Sequence, residues 1–530
     1  MLFNSLSFLL FFLPLALLGY YSLGLLGHRW AGVWLIIASF VFYTWWTTWL
    51  TLLLAGSIAF NFTCGALLLR AQGRERLQSF LLTVAVMGDL LLLIYYKYFF
   101  SLLNWLGYHG IITLTHPYNL ILPLGISFFT FTQIGYLVDC KGGVVKENRL
   151  LDYCLFVTFF PHLIAGPILH HREMMPQFAQ PETYRFQWTN FSVGGTLFVI
   201  GLAKKVLIAD YLAPIVGWYY TSASGLPLFR AWDAALSYSL QLYFDFSGYS
   251  DMALGLALLF GMRFPANFNS PYRAASMIDY WQRFHMTLTR YITLYIYSPL
   301  ALWVSRQRAR SGKSIARAAI STPGGFMSMI MFPTFFTVIL AGAWHGAGLT
   351  FLIFGLLHAC YLTINHAWRS FGPRVPKEPP HPVWRWTTDI AKVALTYLAV
   401  VVAQVFFRSS SPHDAVRILQ GMVGCFGFFG PDYSLHGLSP DRAIPWVSTD
   451  LSTPGHHLVK LALLFFIVWS LPNSLQILRD YAPSLTEIRP ESPISFRWKP
   501  TVAWGIAVGT LAFVALMEST GLTEFLYFRF

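Results

Sequence analysis

Charge is scarce in this chain. Of its 530 residues only 11% are Asp, Glu, Lys or Arg, and just 23 are acidic. A soluble protein carries about 25% charged residues, so an array of water-soluble domains is excluded. Cysteine is scarce as well: Cys64, Cys140, Cys154, Cys360 and Cys425 show no Cys-x-x-Cys spacing, which leaves no pattern for a zinc site or a disulfide framework. The doublets His170–His171 and His456–His457 fall in polar loops without further ligands nearby, and are expected to be solvated. The "SGKS" at 311–314 lacks the glycine a phosphate-binding loop needs five residues before Gly312, because position 307 is Gln. No block of helices repeats along the chain, which counts against many transporter architectures. The opening "MLFNSLSFLLFFLPLALLGYY" lacks a basic leader and a small-residue cleavage site, so it reads as a retained first membrane helix.

What the chain has in plenty is apolar surface. Hydrophobic residues make up 56% and mean hydropathy is +0.54. Apolar runs occupy 2–26, 31–46, 49–69, 79–100, 150–168, 232–262, 327–343, 349–365, 389–407 and 501–517. At about 20 residues per crossing, they predict an all-α polytopic membrane protein with roughly ten to twelve transmembrane helices. The net charge of +13 does not point to nucleic acid. Its basic residues sit in short loops, at Arg70, Arg74 and Arg76, at Lys141, Lys146 and Arg149, and in "SRQRARSGKSIAR" (305–317), as cytoplasmic loops do. That rule puts the N-terminus outside, Arg29 inside, Thr47–Thr48 outside and Arg70–Arg76 inside. The chain reads as one integral-membrane domain in four stretches. Plain helices fill 1–118, a core rich in embedded polar residues fills 119–370, a Pro-rich linker covers 371–386, and 387–530 holds further helices with a polar loop at about 408–457.

Polar residues inside apolar runs are candidate functional groups because burying them is otherwise unexplained. "YFDFSGYSDMALG" (243–255) carries Asp245, Ser247, Tyr249 and Asp251. Six residues separate the two aspartates, so they converge only if Gly248 breaks the helix; otherwise they bond local groups and hold the helix together. In 265–300, Pro265, Asn267, Asn269 and Pro271 form a turn, Ser276 caps a helix three residues before Asp279, and Arg283, His285 and Arg290 follow among aromatics. On a continuous helix Trp281, His285 and Leu288 would share one face. "GAWHGAG" (342–348) places His345 beside Trp344, with Gly346 and Gly348 expected to end the helix and admit a close neighbour. A neutral imidazole can take a proton from a hydroxyl and return it to a leaving group. "LPLGISFFTF" (122–131) reads as a kinked or re-entrant helix, and His162 in "FPHLIAGPI" (160–168) as a packing residue.

Taken in order, "LPLGISFFTF", "FPHLIAGPI", "LYFDFSGYSDMALGLALLFG", "PANFNSPY", "WQRFHMTLTRYI" and "GAWHGAG" resemble the bacterial alginate O-acetyltransferase branch of the membrane-bound O-acyltransferase superfamily. The resemblance runs from about residue 1 to 410 and is strongest from 120 to 360. It implies helices and half-helices, some re-entrant or interfacial, around a central cavity open to the cytoplasm. It also implies that His345 is the catalytic histidine and that His285 is the second family histidine. One departure stands out: Thr293 and Leu294 occupy the place where the family often has Arg-Asp, which marks a divergent subgroup.

The implied reaction moves an acyl group, most simply acetyl, from acetyl-CoA or another cytoplasmic acyl thioester to a hydroxyl across the membrane. His345 would act as base. His285, with Asn267, would orient the donor or donate to the developing oxyanion, while Asp245, Ser247, Tyr249, Asp251, Asp279, Arg283 and Trp344 would shape the cavity. No metal and no permanently bound cofactor are expected. The expected partners are membrane lipid, a periplasmic acetyltransferase or acceptor protein and polysaccharide machinery, at the bacterial inner membrane. Two alternatives use the same polar groups: a transporter or channel for an acylated or sugar substrate, and an O-acyltransferase for a lipid or protein acceptor.

Overall fold

The computed structural model describes residues 1–530 apart from 46–47, 114–115, 117, 119–121, 147, 222–224, 374–381, 429–453, 489–490, 520–525 and 527–530. Half of the Pro-rich linker (374–381) and half of the long polar loop (429–453) therefore lie outside the described residues. Among those described there is no β-strand, only an isolated bridge between Phe268 and Phe284. The chain is an all-α bundle. Its main elements are α1 (Phe8–Gly24), α2 (His28–Thr44), α3 (Thr48–Arg70), α4 (Glu75–Tyr108), α5 (Ile126–Lys141), α6 (Leu150–Thr158), α7 (Trp188–Thr221), α8 (Leu228–Leu259), α9 (Met286–Ile292), α10 (Pro323–His345), α11 (Leu349–Phe371), α12 (Pro382–Arg408), α13 (Pro454–Ser470) and α14 (Val502–Glu518).

Six of these, α3, α4, α7, α10, α11 and the Trp386–Arg408 part of α12, are long and apolar enough to cross a membrane, and three apolar helices are shorter. Sequence and structure part company at three places. The apolar run 150–168 is not one helix: α6 stops at Thr158, Phe159 turns away at φ −51° and ψ 107°, and only the single turn Phe160–Leu163 follows. Pro161 restarts the chain there, and Gly166 (φ +122°) with Pro167 prevents a second turn. Conversely, α7 forms across a stretch whose apolar pattern is interrupted by Lys204, Lys205 and Asp210. Helix α8 runs 32 residues without interruption, so Gly248 does not break it.

Gly248 serves packing instead. A Cβ on it would lie 2.8 Å from the Gly201 carbonyl oxygen, and one on Gly255 would lie 2.6 Å from that of Gly194. The two glycine pairs, seven residues apart on each helix, bring antiparallel α7 and α8 into backbone contact. Small residues allow such approaches in membranes, where dispersion and polar contacts rather than water drive association. Near the start of the core, Gly125 at φ +74° begins α5, and a Cβ there would lie 2.5 Å from the Leu163 carbonyl. The "LPLGISFFTF" and "FPHLIAGPI" segments are thus packed together. His162 is buried against them, with its Nε2 2.9 Å from the Phe156 carbonyl, in the packing role expected of it.

Candidate active site

Helix α10 ends at His345 because Gly346 is extended (φ −175°, ψ 163°). A helix end leaves carbonyls without intrahelical partners, and here α4 supplies donors. Tyr98 Oη donates to the Ala343 carbonyl at 2.6 Å, and the buried Lys97 ammonium donates to the Trp344 carbonyl. A cation suits the negative end of the helix dipole. Both donors sit on the π-helical turn Tyr95–Phe99, a distortion that often marks functional helices. Lys97 Nζ also stands 5.6 Å from the centre of the Trp344 ring. That ring stacks on Phe131 at 4.9 Å, and Phe131 on Tyr291 at 4.7 Å. The room left by Gly346 is filled by the chain itself: a Cβ there would lie 2.2 Å from the Phe351 ring. The close neighbour expected at this glycine is thus Phe351, not a ligand.

His285 is held differently from the sequence expectation. Helix Met277–Trp281 is capped by Ser276, whose Oγ accepts from the Asp279 amide at 3.2 Å, as expected. It stops after one turn. The chain then pairs with the 267–269 loop, the Asn269 amide donating to the Arg283 carbonyl and the Met286 amide to the Asn267 carbonyl, each at 2.9 Å. His285 lies between these bonds in the left-handed region, at φ 47° and ψ 51°, a conformation that costs a β-carbon residue about 1–3 kcal/mol unless its surroundings impose it. No continuous helix therefore carries Trp281, His285 and Leu288 on one face; the turn re-aims His285 before α9 begins. Its Nδ1 is 3.0 Å from Asn267 Oδ1. The Thr287 hydroxyl donates to the same oxygen at 2.8 Å, and Asn267 Nδ2 donates to Ser250 Oγ at 3.1 Å.

Both histidines line one cavity, of about 40 Å³, together with Leu242, Phe246, Tyr280, Trp281, Phe284, Leu288, Phe354, His358, Gln404 and Phe407. This exceeds the ~10–15 Å³ that admits one water, and its walls are largely aromatic. His345 meets Phe407 and Phe354 edge-on at 5.1 and 6.1 Å, and Phe246 meets His285 edge-on at 4.7 Å. A larger apolar cleft of about 360 Å³ between α7 and α13 reaches Lys204 and Ser474 but neither histidine. Among the described residues no group of three His, Cys, Asp or Glu side chains gathers so as to hold a metal ion.

Sequence reasoning missed three residues of this site. Lys97 was legible, as a lone lysine within the apolar run 79–100. His358 and Gln404 gave weaker signals, each one uncharged polar residue among several in a helix that reads as plain membrane span. Trp344 and Asn267 support the two histidines. The remaining candidates stand apart from the cavity. Asp251 pairs with Lys204 at 2.6 Å and accepts from Ser474 Oγ at 2.7 Å. Lys205 lies between Asp245, at 2.7 Å, and Asp210, at 2.8 Å. Asp245 also accepts from the Leu526 amide at 2.9 Å. Tyr249 stacks on Phe3 at 4.9 Å and Ser247 is buried on the same helix. Asp279 bonds Arg283 at 2.6 Å, and Arg283 also reaches Glu491, at a partly exposed rim.

Two histidines expected in solvent are buried. His457 Nε2 is 2.8 Å from Asp233 Oδ1, with Tyr211 Oη 3.2 Å from its other nitrogen. His170 Nδ1 is 3.1 Å from Tyr295 Oη. Each lies at the start of a helix that folds its ring inward, a placement that local polarity does not reveal.

Comparison with known proteins bears on this geometry. The model of the MBOAT, membrane-bound O-acyltransferase family, matches residues 35–321. The peptidoglycan O-acetyltransferase of Helicobacter pylori is 36% identical over 461 residues, covering 81% of this chain and 80% of that protein. A probable alginate O-acetylase of Pseudomonas putida is 33% identical over 541 residues, covering 100% of both. The teichoic acid D-alanyltransferase of Bacillus subtilis is 27% identical over 309 residues, 56% of this chain and 71% of that protein. On these matches the chain is an O-acyltransferase, and it belongs to the membrane-bound O-acyltransferase family.

Proposed function

We propose that this enzyme transfers an acetyl group from a cytoplasmic acyl thioester, with acetyl-CoA as the simplest donor, to a hydroxyl destined for a cell-envelope polysaccharide. The observation that carries the reading is the placement of His345 and His285 on one small, aromatic-walled cavity. A thioester is already activated towards a hydroxyl, so the protein has to supply a base, orientation and exclusion of water. His345 takes the hydroxyl proton. Asn267 Oδ1 accepts from Thr287, so the His285 nitrogen facing it is the N–H, and the neutral ring offers its Nε2 lone pair to the cavity. His285 therefore orients by accepting a hydrogen bond, and is unsuited to the oxyanion-donor role that the sequence left open for it.

The polysaccharide acceptor draws support from relatives named for peptidoglycan and alginate O-acetylation. Family membership replaces the transport reading, while a lipid or protein acceptor would use the same histidines. A periplasmic acetyltransferase receiving the acetyl group, roughly ten to twelve crossings in all, and residence in the bacterial inner membrane complete the proposal. The test is polymer-bound acetyl in cells expressing wild type, His345→Ala or His285→Ala at matched membrane abundance. Loss of about 100-fold or more in His345→Ala, the scale of a missing general base, supports the reading. Undiminished acetylation in that variant sinks it.

A further inference from the structure

Beyond His345 and His285, the cavity holds a third histidine whose chemistry is opposite to that of His285. His358, on α11, is 1% exposed. Its Nδ1 accepts a hydrogen bond from Trp281 Nε1 at 3.2 Å. An indole N–H only donates, so in the neutral ring that nitrogen carries the lone pair and Nε2 carries the proton. This Nε2 is buried with no hydrogen-bond partner. The ring is fixed by Tyr280, parallel to it at 6.1 Å, and by Phe354, edge-on at 4.5 Å. A buried N–H left without an acceptor is disfavoured, and this one belongs to a residue lining the cavity shared with His285 and His345.

We infer that His358 Nε2–H is the donor that binds the carbonyl oxygen of the acyl group and stabilises the oxyanion formed there. The assignment rests on the acyl-transfer reading above and adds the electrophilic half of the site. During transfer the acceptor oxygen bonds to the acyl carbon while its proton passes to His345. The carbonyl π pair moves to oxygen, where His358 meets it. That pair then returns as the carbon–sulfur bond breaks, and the proton goes to the departing sulfur, giving ester and thiol. Trp281 acts as a positioning residue, since its N–H selects the tautomer that donates. Opposite tautomers of two histidines thus divide the work: His285 accepts through Nε2 and His358 donates through Nε2.

The test uses membrane vesicles carrying equal amounts of each full-length variant, supplied with radiolabelled acetyl-CoA over a concentration series, with label on membrane-associated polymer counted. His358→Leu is expected to lower the maximal rate about 100-fold, as loss of one oxyanion donor does, with the half-saturating concentration within about twofold of wild type. His358→Gln restores an N–H and recovers much of the rate. Trp281→Phe lowers the rate of the wild type but adds nothing in the His358→Gln background. A wild-type rate in His358→Leu, or equal impairment of His358→Leu and His358→Gln, overturns the assignment. No transfer by wild type, or full transfer by His345→Ala, overturns the acyl-transfer reading itself.

Discussion

The α7–α8 pair and the histidine cavity are both polar regions inside an apolar bundle, yet they treat polarity in contrary ways. Between α7 and α8 the charges answer one another: Lys204 meets Asp251, and Lys205 lies between Asp245 and Asp210. The backbones there touch through glycine, and each ammonium is paired with a carboxylate. In the cavity the groups are neutral rings, with His285 and His358 each tied at Nδ1 to an uncharged partner. Embedded polarity alone therefore does not mark chemistry in this protein. A polar group spent on a neighbour holds the fold, and one anchored on a single side beside an open volume is available for reaction.

The largest effect expected from breaking this contrast is at Lys205. Lys205→Met leaves two buried carboxylates without their shared cation, and removal of one partner of a buried pair costs about 3–5 kcal/mol. Membrane abundance measured by immunoblot should collapse, and the surviving protein should keep its activity per molecule. Second comes Asn267→Leu, which removes the acceptor for His285 Nδ1 but no charge. Acetylation should fall roughly 10–100-fold, the scale set by losing an orienting partner, with abundance retained. Third is Lys97→Met. The Trp344 carbonyl loses its donor and the end of α10 loosens, so activity should drop about tenfold, a dipole-and-hydrogen-bond effect of ~1–2 kcal/mol. Lys97→Arg should recover part of it. Smallest is Asp279→Asn. Its ion pair with Arg283 is partly exposed, and such pairs contribute about 1 kcal/mol or less. Thermal stability of the detergent-solubilised protein should barely move, and acetylation should stay at the wild-type level.

Much of the fold was legible because apolar length is a direct physical signal, and the two principal histidines were legible because their motifs are long and ordered. What stayed hidden depended on partners distant in sequence. Lys204 and Lys205 masked α7 because Asp251 and Asp245, with which they pair, lie on α8. Gly248 looked like a break because its packing partner, Gly201, is 47 residues away. The turn at His285 was invisible because the bonds that impose it come from the 267–269 loop. His358 reads as one polar residue in an apolar helix until Trp281 is seen to fix its proton.

The glycine contacts between α7 and α8 also bear on how the chain enters the bilayer. The two helices follow one another in the chain, and Lys204 and Lys205 reach Asp251 and Asp245 only when the backbones touch. A lysine or aspartate alone at mid-bilayer is disfavoured by roughly 2.5–3.5 kcal/mol even on insertion-derived scales. Released one at a time into lipid, each helix would carry two or three such groups. Bulk at Gly201 or Gly248 would therefore part the two backbones and leave these charges without their partners, a cost set by electrostatics rather than by packing alone.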